Sequence, residues 1–393
     1  MSKTSTRWTR RQFLVAASAS AAALLDACAR PSPTPDATHQ PALEATSQSA
    51  VYLPNVRRDA APTPTPVPSP TPTSPPEPTP RPRRTFPTFD RPSKLGIAVQ
   101  RFRDPQIMDR IVADGHPRVV KIWDDLGAAV EIKQHSPNTI VVGHIKQAYD
   151  FQNALSSGAT DMAAYAADFV AQHVSRYQAN PGIDYWEGHN EPVFELESHM
   201  ALYGQFEAER VRQMAAHGLK TAVGNFSAGN PPMTQWDDFF PALQAVKQHG
   251  GVLALHEYSA PTLDHGYDPR VGEGWLTCRY RKVYRHQVPP DLRAPIIITE
   301  AGIDGLVGAD RPGPLGSGWQ DFIDYWKTLP LDPDTFWAYM DQLQWYDEEL
   351  QKDGYVIGAT IFVAGAIGAF GVYEIAGEMG ELLTQYLLAH PQN

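Results

Sequence analysis

The chain has 393 residues, 42% of them hydrophobic, a formal net charge of -11 and two cysteines. That length suits one large domain or two ordinary ones, and the acidic balance gives the whole protein no electrostatic reason to seek nucleic acid or anionic lipid. Two cysteines exclude a disulfide-stapled scaffold, so stability has to come from a buried core.

The first element is "TRRQFLVAASASAAALLDAC", in which Arg10 and Arg11 precede an apolar run from Phe13 to Leu25. The run is too short to span a bilayer comfortably and has the build of the apolar part of a signal peptide. It resembles a bacterial twin-arginine export signal. The "LLDAC" that follows is similar to a lipobox, which would make residues 1–27 a leader and Cys28 a lipidated N-terminus, the chain's one link to a membrane. Asp26 is unusual inside such a box, so cleavage by an ordinary signal peptidase stays open. With Cys28 modified, only Cys278 remains, and no intramolecular disulfide can form. In "GWLTCRYRKVY" Cys278 reads as a small buried apolar residue.

Residues 31–92 hold 18 of the 36 prolines, in phrases such as "PTPTPVPSPTPTSPPEPTPRP". Such a run forms neither helix nor inner strand and populates extended polyproline II. Residues 28–93 are therefore expected to be a spacer or a plain disordered linker, permissive of O-glycosylation.

From Lys94 the composition becomes that of a folded domain, 94–393. Short apolar runs alternate with helical patterns: "KLGIAVQ", "RVVKIW", "TIVVGHI", "GIDYWEG", "LKTAVGNF", "GVLALHEY", "PIIITEAG" and "YVIGATIFV". Between them, "DMAAYAADFVAQHVSRY", "MALYGQFEAERVRQMAAHG" and the stretch from Trp319 to Leu350 read as helical. Eight such units in about 300 residues predict an α/β fold, a (β/α)8 TIM barrel. The open doubly wound alternative lacks its glycine fingerprint, because "KLGIAVQRFRDP" has one glycine.

In such a barrel the active site lies at the C-terminal strand ends. The fourth run leads into "GHNEP" and the seventh ends "IITEAG", which puts Glu191 and Glu300 at one mouth. Two carboxylates there suit glycoside hydrolysis, in which one acts as an acid and the other, ionised, attacks. On the sixth run His256 and Tyr258 share a face, as do Lys121 and Trp123 on the second. Trp123 either stacks on a sugar ring or packs against a helix. Lys121 either points inward, as a cation able to bind sugar hydroxyls or the nucleophile, or, the expectation taken here, ends in solvent.

An Asn-Glu-Pro closing strand four with a Glu closing strand seven resembles the clan A glycoside hydrolases, retaining (β/α)8 glycosidases. The resemblance covers nearly all of 94–393 in strand order. It implies Glu191 as general acid/base, Glu300 as nucleophile and Asn190 as the donor to the hydroxyl beside the anomeric carbon. It also implies that Tyr258 or His256 contacts the nucleophile. Many clan members carry a tryptophan at the end of strand eight; here either Phe362 or Phe370 stands in its place or the subsite is built differently.

The resulting expectation is an exported, extracytoplasmic retaining glycosidase with a carbohydrate substrate, no cofactor, no metal and no nucleic-acid partner, monomeric by default. Its alternatives are an inactive carbohydrate-binding barrel lipoprotein and a metalloenzyme drawing on His144, His189 and His256 with Glu191 and Glu300 close by, although "GIAVQRF" at strand one has no histidine and the sequence has neither HExxH nor a cysteine cluster. Trp236, Trp275 and Trp319 either line a saccharide groove or belong to the core.

Overall fold

The computed structural model describes residues 84–86, 91–102, 104, 106–146, 151–194, 196–308 and 311–392. The leader with Arg10, Arg11 and Asp26, the lipidation candidate Cys28 and the proline-rich stretch up to residue 83 lie outside the described residues.

Each of the eight apolar runs forms a strand: β1 Leu95–Val99, β2 Val119–Trp123, β3 Ile140–His144, β4 Tyr185–Glu187, β5 Thr221–Phe226, β6 Val252–Ser259, β7 Ile296–Ile303 and β8 Val356–Ala364. They pair in parallel in chain order, and β8 returns to β1, closing the barrel. Around it run α1 Gln106–Asp114, with wide π-type turns, α2 Ala128–His135, α3 Phe151–Ser156, α4 Met162–Gln178, α5 His199–Ala216, α6 Phe240–His249, α7 Arg279–His286, α8 Ile323–Trp326, α9 Thr335–Gln351 and α10 Glu378–Ala389. The architecture is the (β/α)8 barrel anticipated from the sequence. Among the described residues no helix is long and apolar enough to cross a membrane.

Local chemistry accounts for the helix limits. Asp161 starts α4 by accepting from the backbone N–H groups of Ala163 and Ala164 at 3.0 Å, and Asp334 does the same for α9. The stretch from Trp319 to Leu350 is not one helix. Pro330 and Pro333 interrupt it, and α9 begins afresh at Asp334.

The barrel interior changes character along its axis. Its lower layer is apolar, built from Val119, Val142, Ala222, Val252, Ala254 and Ile297. One layer higher, the inward positions become Lys121, His144, Glu187, His256 and Glu300, all buried. An aromatic group of Trp123, Tyr258 and Phe362 follows at the mouth. Cys278 is buried and free, as its sequence context suggested.

The end of β4 is held from outside by α5. Arg210, wholly buried, donates from Nε to Glu207 at 2.9 Å and from its two terminal nitrogens to the carbonyls of Trp186 (3.2 Å) and Ala222 (3.0 Å). Glu207 also accepts from Tyr203 OH at 2.9 Å. Gly188 makes room for this pair: a Cβ there would stand 2.9 Å from Arg210 Nε and from Glu207 Oε1. The strand that carries the Asn-Glu-Pro segment is thus clamped at its last residues by a buried ion pair.

Arg210→Met, which leaves Glu207 buried without its counter-charge, is expected to destabilise the full chain by about 3–5 kcal/mol in urea unfolding. A loss below about 1 kcal/mol would show that the pair is not the anchor of β4.

Candidate active site

The site is assembled from β2, β3, β4, β6 and β7. Strict alternation from Ile297 would point Glu300 away from the barrel axis, but β7 carries an extra residue. Leu255 pairs with Ile298 whereas the next residue, His256, pairs with Glu300, so Thr299 is bulged. The same shift shows against β8, where Ile298 meets Ala359 and Ala301 meets Ile361. The bulge turns Glu300 inward.

Both Glu300 oxygens are then occupied. Lys121 Nζ donates to Oε1 at 2.8 Å and Tyr258 OH to Oε2 at 2.7 Å. The Lys121 ammonium also meets Glu187 Oε2 at 2.9 Å and lies 4.8 Å from the centre of the Trp123 ring. His144 Nδ1 stands 3.4 Å from the same Glu187 oxygen. Burial by itself would raise the pKa of Glu300. The charges of His256 and Lys121, with the hydrogen bonds from Lys121 and Tyr258, outweigh burial and hold Glu300 below the usual carboxylate range. Glu187 is likewise held below the usual carboxylate range, because Lys121 and His144 overcome its desolvation. Lys121 in turn is raised: its two carboxylate partners more than offset the burial that would strip its charge.

Glu191 sits differently. It follows β4 in the left-handed backbone region, at φ 42°, fastened by its N–H to the carbonyl of Asn225 at 3.0 Å. A non-glycine residue held there costs about 1–3 kcal/mol, and such strain clusters at functional positions. Its side chain is 31% exposed, and its Oε1 lies 2.8 Å from His256 Nδ1. That same nitrogen is 3.4 Å from Glu300 Oε2. One oxygen of Glu191 and one of Glu300 come within 4.8 Å of each other, with His256 beside both. Asn190 is half-buried, and its Oδ1 has no hydrogen-bond partner among the described residues.

Glu191, Glu300, Asn190, His256, Tyr258 and Trp123 are therefore all at or beside this mouth. Trp123 resolves toward the barrel, meeting Phe362 edge to face at a centroid distance of 6.0 Å. Phe362 also meets Tyr258 at 6.0 Å and Phe370 at 5.3 Å, so it packs within the aromatic group at the end of β8. Lys121 corrects the sequence reading, since it is fully buried between two carboxylates instead of ending in solvent. Glu187 was missed, although a lone acid in an apolar strand, in step with the inward Tyr185, signalled a need for a buried partner. Trp236 and Trp319 belong to the core, and Trp275 is exposed beside Lys282.

Of the three histidines offered for a metal, His189 faces away, packed among Phe151, Phe169 and Phe206 and bonded to Tyr165 OH at 3.0 Å. Glu191, His256 and Glu300 come close enough to ligate one ion. Both Glu300 oxygens already serve Lys121 and Tyr258, and an ammonium 2.8 Å away opposes a second cation. The donor set suits a carboxylate pair better than a metal.

No protein-family model and no curated protein matches the chain. Among solved structures it is similar to an endo-1,4-β-D-mannanase from Thermotoga petrophila, at 13% identity over 75% of this chain and 99% of that one, with a TM-score of 0.46. It is similar also to an endo-β-1,3-glucanase from Pseudomonas viridiflava, at 16% identity over 76% and 98% of the two chains, with a TM-score of 0.40. A β-glucuronidase from Ruminococcus gnavus shares 9% identity over 75% of this chain and 49% of that one, with a TM-score of 0.47.

Lys121→Met tests the charge layer through stability. In the parent, the depressed pKa of Glu300 contributes stability that is present above its unfolded value of 4.5 and lost as pH falls through the folded one. Without the ammonium, Glu187 keeps His144 and Glu300 keeps His256 and Tyr258, but burial loses a main opponent at both, so both pKa values move up from where the parent holds them. Relative to the parent, Lys121→Met should therefore gain stability as pH falls from about 7 toward 5. Melting temperatures over that range would decide, and parallel curves for the two proteins would refute the assignment.

Proposed function

We propose that this chain is a retaining glycoside hydrolase acting on oligo- or polysaccharides. The observation that carries the reading is the approach of Glu191 and Glu300 to within 4.8 Å at the C-terminal mouth of the barrel, in unlike surroundings. Retaining glycosidases hold their two carboxyl groups about 5 to 5.5 Å apart, and inverting ones about 6.5 to 9.5 Å, to seat a water. The spacing here supports the shorter class.

The surroundings support a division of roles. Glu300, ionised and fixed by Lys121 and Tyr258, is the nucleophile that attacks the anomeric carbon. Glu191, partly exposed beside His256, protonates the departing oxygen. The glycosidic C–O bond breaks as the bond from Glu300 to the anomeric carbon forms, giving a glycosyl ester. Water then attacks that carbon, Glu191 takes the water's proton, and the Glu300 carboxylate departs. Asn190 offers its amide to the neighbouring sugar hydroxyl, and Trp123 and Phe362 offer apolar faces to the ring.

The same reading makes residues 1–27 a twin-arginine leader, Cys28 a lipid anchor and residues 28–93 a spacer outside the cytoplasm, with a monomeric barrel at its end. It draws on the sequence alone. Replacing Arg10 and Arg11 with lysine should retain the protein in the cytoplasm, and unchanged delivery to the cell surface would count against that route.

For the catalytic roles, turnover of a panel of aryl β-glycosides is expected in the parent and lost by several orders of magnitude in Glu300→Ala. Azide should restore that variant's turnover and yield the glycosyl azide of inverted configuration. A parent that binds glycans without turning any over would favour the inactive carbohydrate-binding barrel.

A further inference from the structure

Glu187 has no place in the two-carboxylate scheme. It is buried one layer beneath the mouth, 1% exposed, and meets Lys121 at 2.9 Å and His144 at 3.4 Å. Lys121 and Glu300 alone would already form a neutral buried pair, and a second buried carboxylate, whose desolvation is expensive, asks for a reason. Chemistry supplies one. When Glu300 becomes a glycosyl ester it loses its negative charge, and the wholly buried Lys121 ammonium would be left without a counter-ion at the moment of bond formation. Glu187 keeps it paired. The nearly equal distances, 2.9 Å to Glu187 and 2.8 Å to Glu300, are those of a shared ammonium.

We propose that Glu187 is a positioning residue of this reaction, which, by sharing Lys121 with Glu300, sets how the rate is divided between formation and breakdown of the glycosyl-enzyme. This role rests on the reading of Glu300 as nucleophile. With the Glu187 charge removed, the ammonium has only Glu300 to neutralise it. Discharging Glu300 then becomes harder, and restoring its charge becomes easier. Formation slows while breakdown quickens.

The groups that face Glu300 are Lys121 from β2, His256 and Tyr258 from β6, and Glu191 after β4. Those that face Glu187 are Lys121, His144 from β3, His256 and, from α5, Glu207 with its partner Arg210. Asp304, just after β7, is a further acid of the mouth, pushed up to about 7 by burial and by Glu191 against the hydrogen bonds from Leu306 and Tyr373. Asp304 answers to Leu306, Tyr373, Glu191 and Arg311 and not to Lys121, so its titration should be common to parent and variant, whereas the limb that reports Glu300 should move.

The test uses the full chain with an activated aryl β-glycoside that the parent cleaves, and its 2-deoxy-2-fluoro analogue to trap the glycosyl-enzyme and count active sites. Glu187→Gln is expected to lower kcat/KM by about ten- to hundred-fold and to shift the acidic limb of its pH profile downward. The same variant should leave kcat on the activated substrate unchanged or raised, and should release the trapped sugar faster than the parent. Glu187→Asp, which draws the carboxylate back by one methylene, should show the same split in smaller measure and serves where the glutamine variant does not fold. Parallel falls in kcat and kcat/KM per active site, with an unmoved acidic limb and unchanged release of the trapped sugar, would overturn the proposal. A parent with no turnover, or a Glu300→Ala that retains it, would instead overturn the glycosidase reading on which the proposal stands.

Discussion

An ammonium group with no access to water, held between two carboxylates inside a barrel, constrains everything around it. Moving such charges out of water is repaid only where the partners meet at hydrogen-bond distance. Lys121 comes from β2, Glu187 from β4 and Glu300 from β7. Three strands on different sides of the barrel must therefore hold their heights and phases to within a fraction of an ångström. The apolar layer beneath sets the spacing, and the Arg210–Glu207 clamp fixes β4 from the helix side. The polar interior is specified by geometry as much as by affinity.

The two mouth carboxylates differ because the barrel treats them differently. Glu300 lies on a strand and is fastened through both oxygens. Glu191 lies beyond its strand, on a strained turn anchored by the Asn225 carbonyl, with part of its side chain in the open. A fixed, ionised group and a more accessible one, joined through His256, are what a reaction with separate attack and proton-transfer roles asks of two identical side chains. The asymmetry arises from placement and neighbours, since the residue type is the same.

The barrel was legible because strands buried on both faces read as near-continuous apolar runs, and all eight stand out from their helical connections. Glu191 and Glu300 were legible because strand ends locate the mouth. Lys121 was misread because a cation near the end of a run looks like an exit to solvent, and only the partners on β4 and β7, 66 and 179 residues away, reveal that it stays inside. Glu187 was marked by its phase in an apolar strand as a buried acid, but the partner it meets, Lys121 across the barrel, is not written in the run that carries it. The bulge at Thr299 has no signature in "IIITEAG" at all. Register against neighbours, not propensity along the chain, defines it. The helical reading of Trp319 to Leu350 holds on both sides of a break, and the break had a signal in the prolines at 330 and 333.

That bulge divides β7 into two segments of opposite parity. Below Thr299 the strand answers to the core, where Ile297 fills the apolar layer; above it, to the mouth, where Glu300 faces Lys121. One surplus residue acts as a phase coupling between a segment that fills the core and a segment that presents a charge. Drift in the lower segment need not disturb the carboxylate, and change around the mouth need not reach the core. A strand without that surplus residue would have to satisfy both demands with a single alternation.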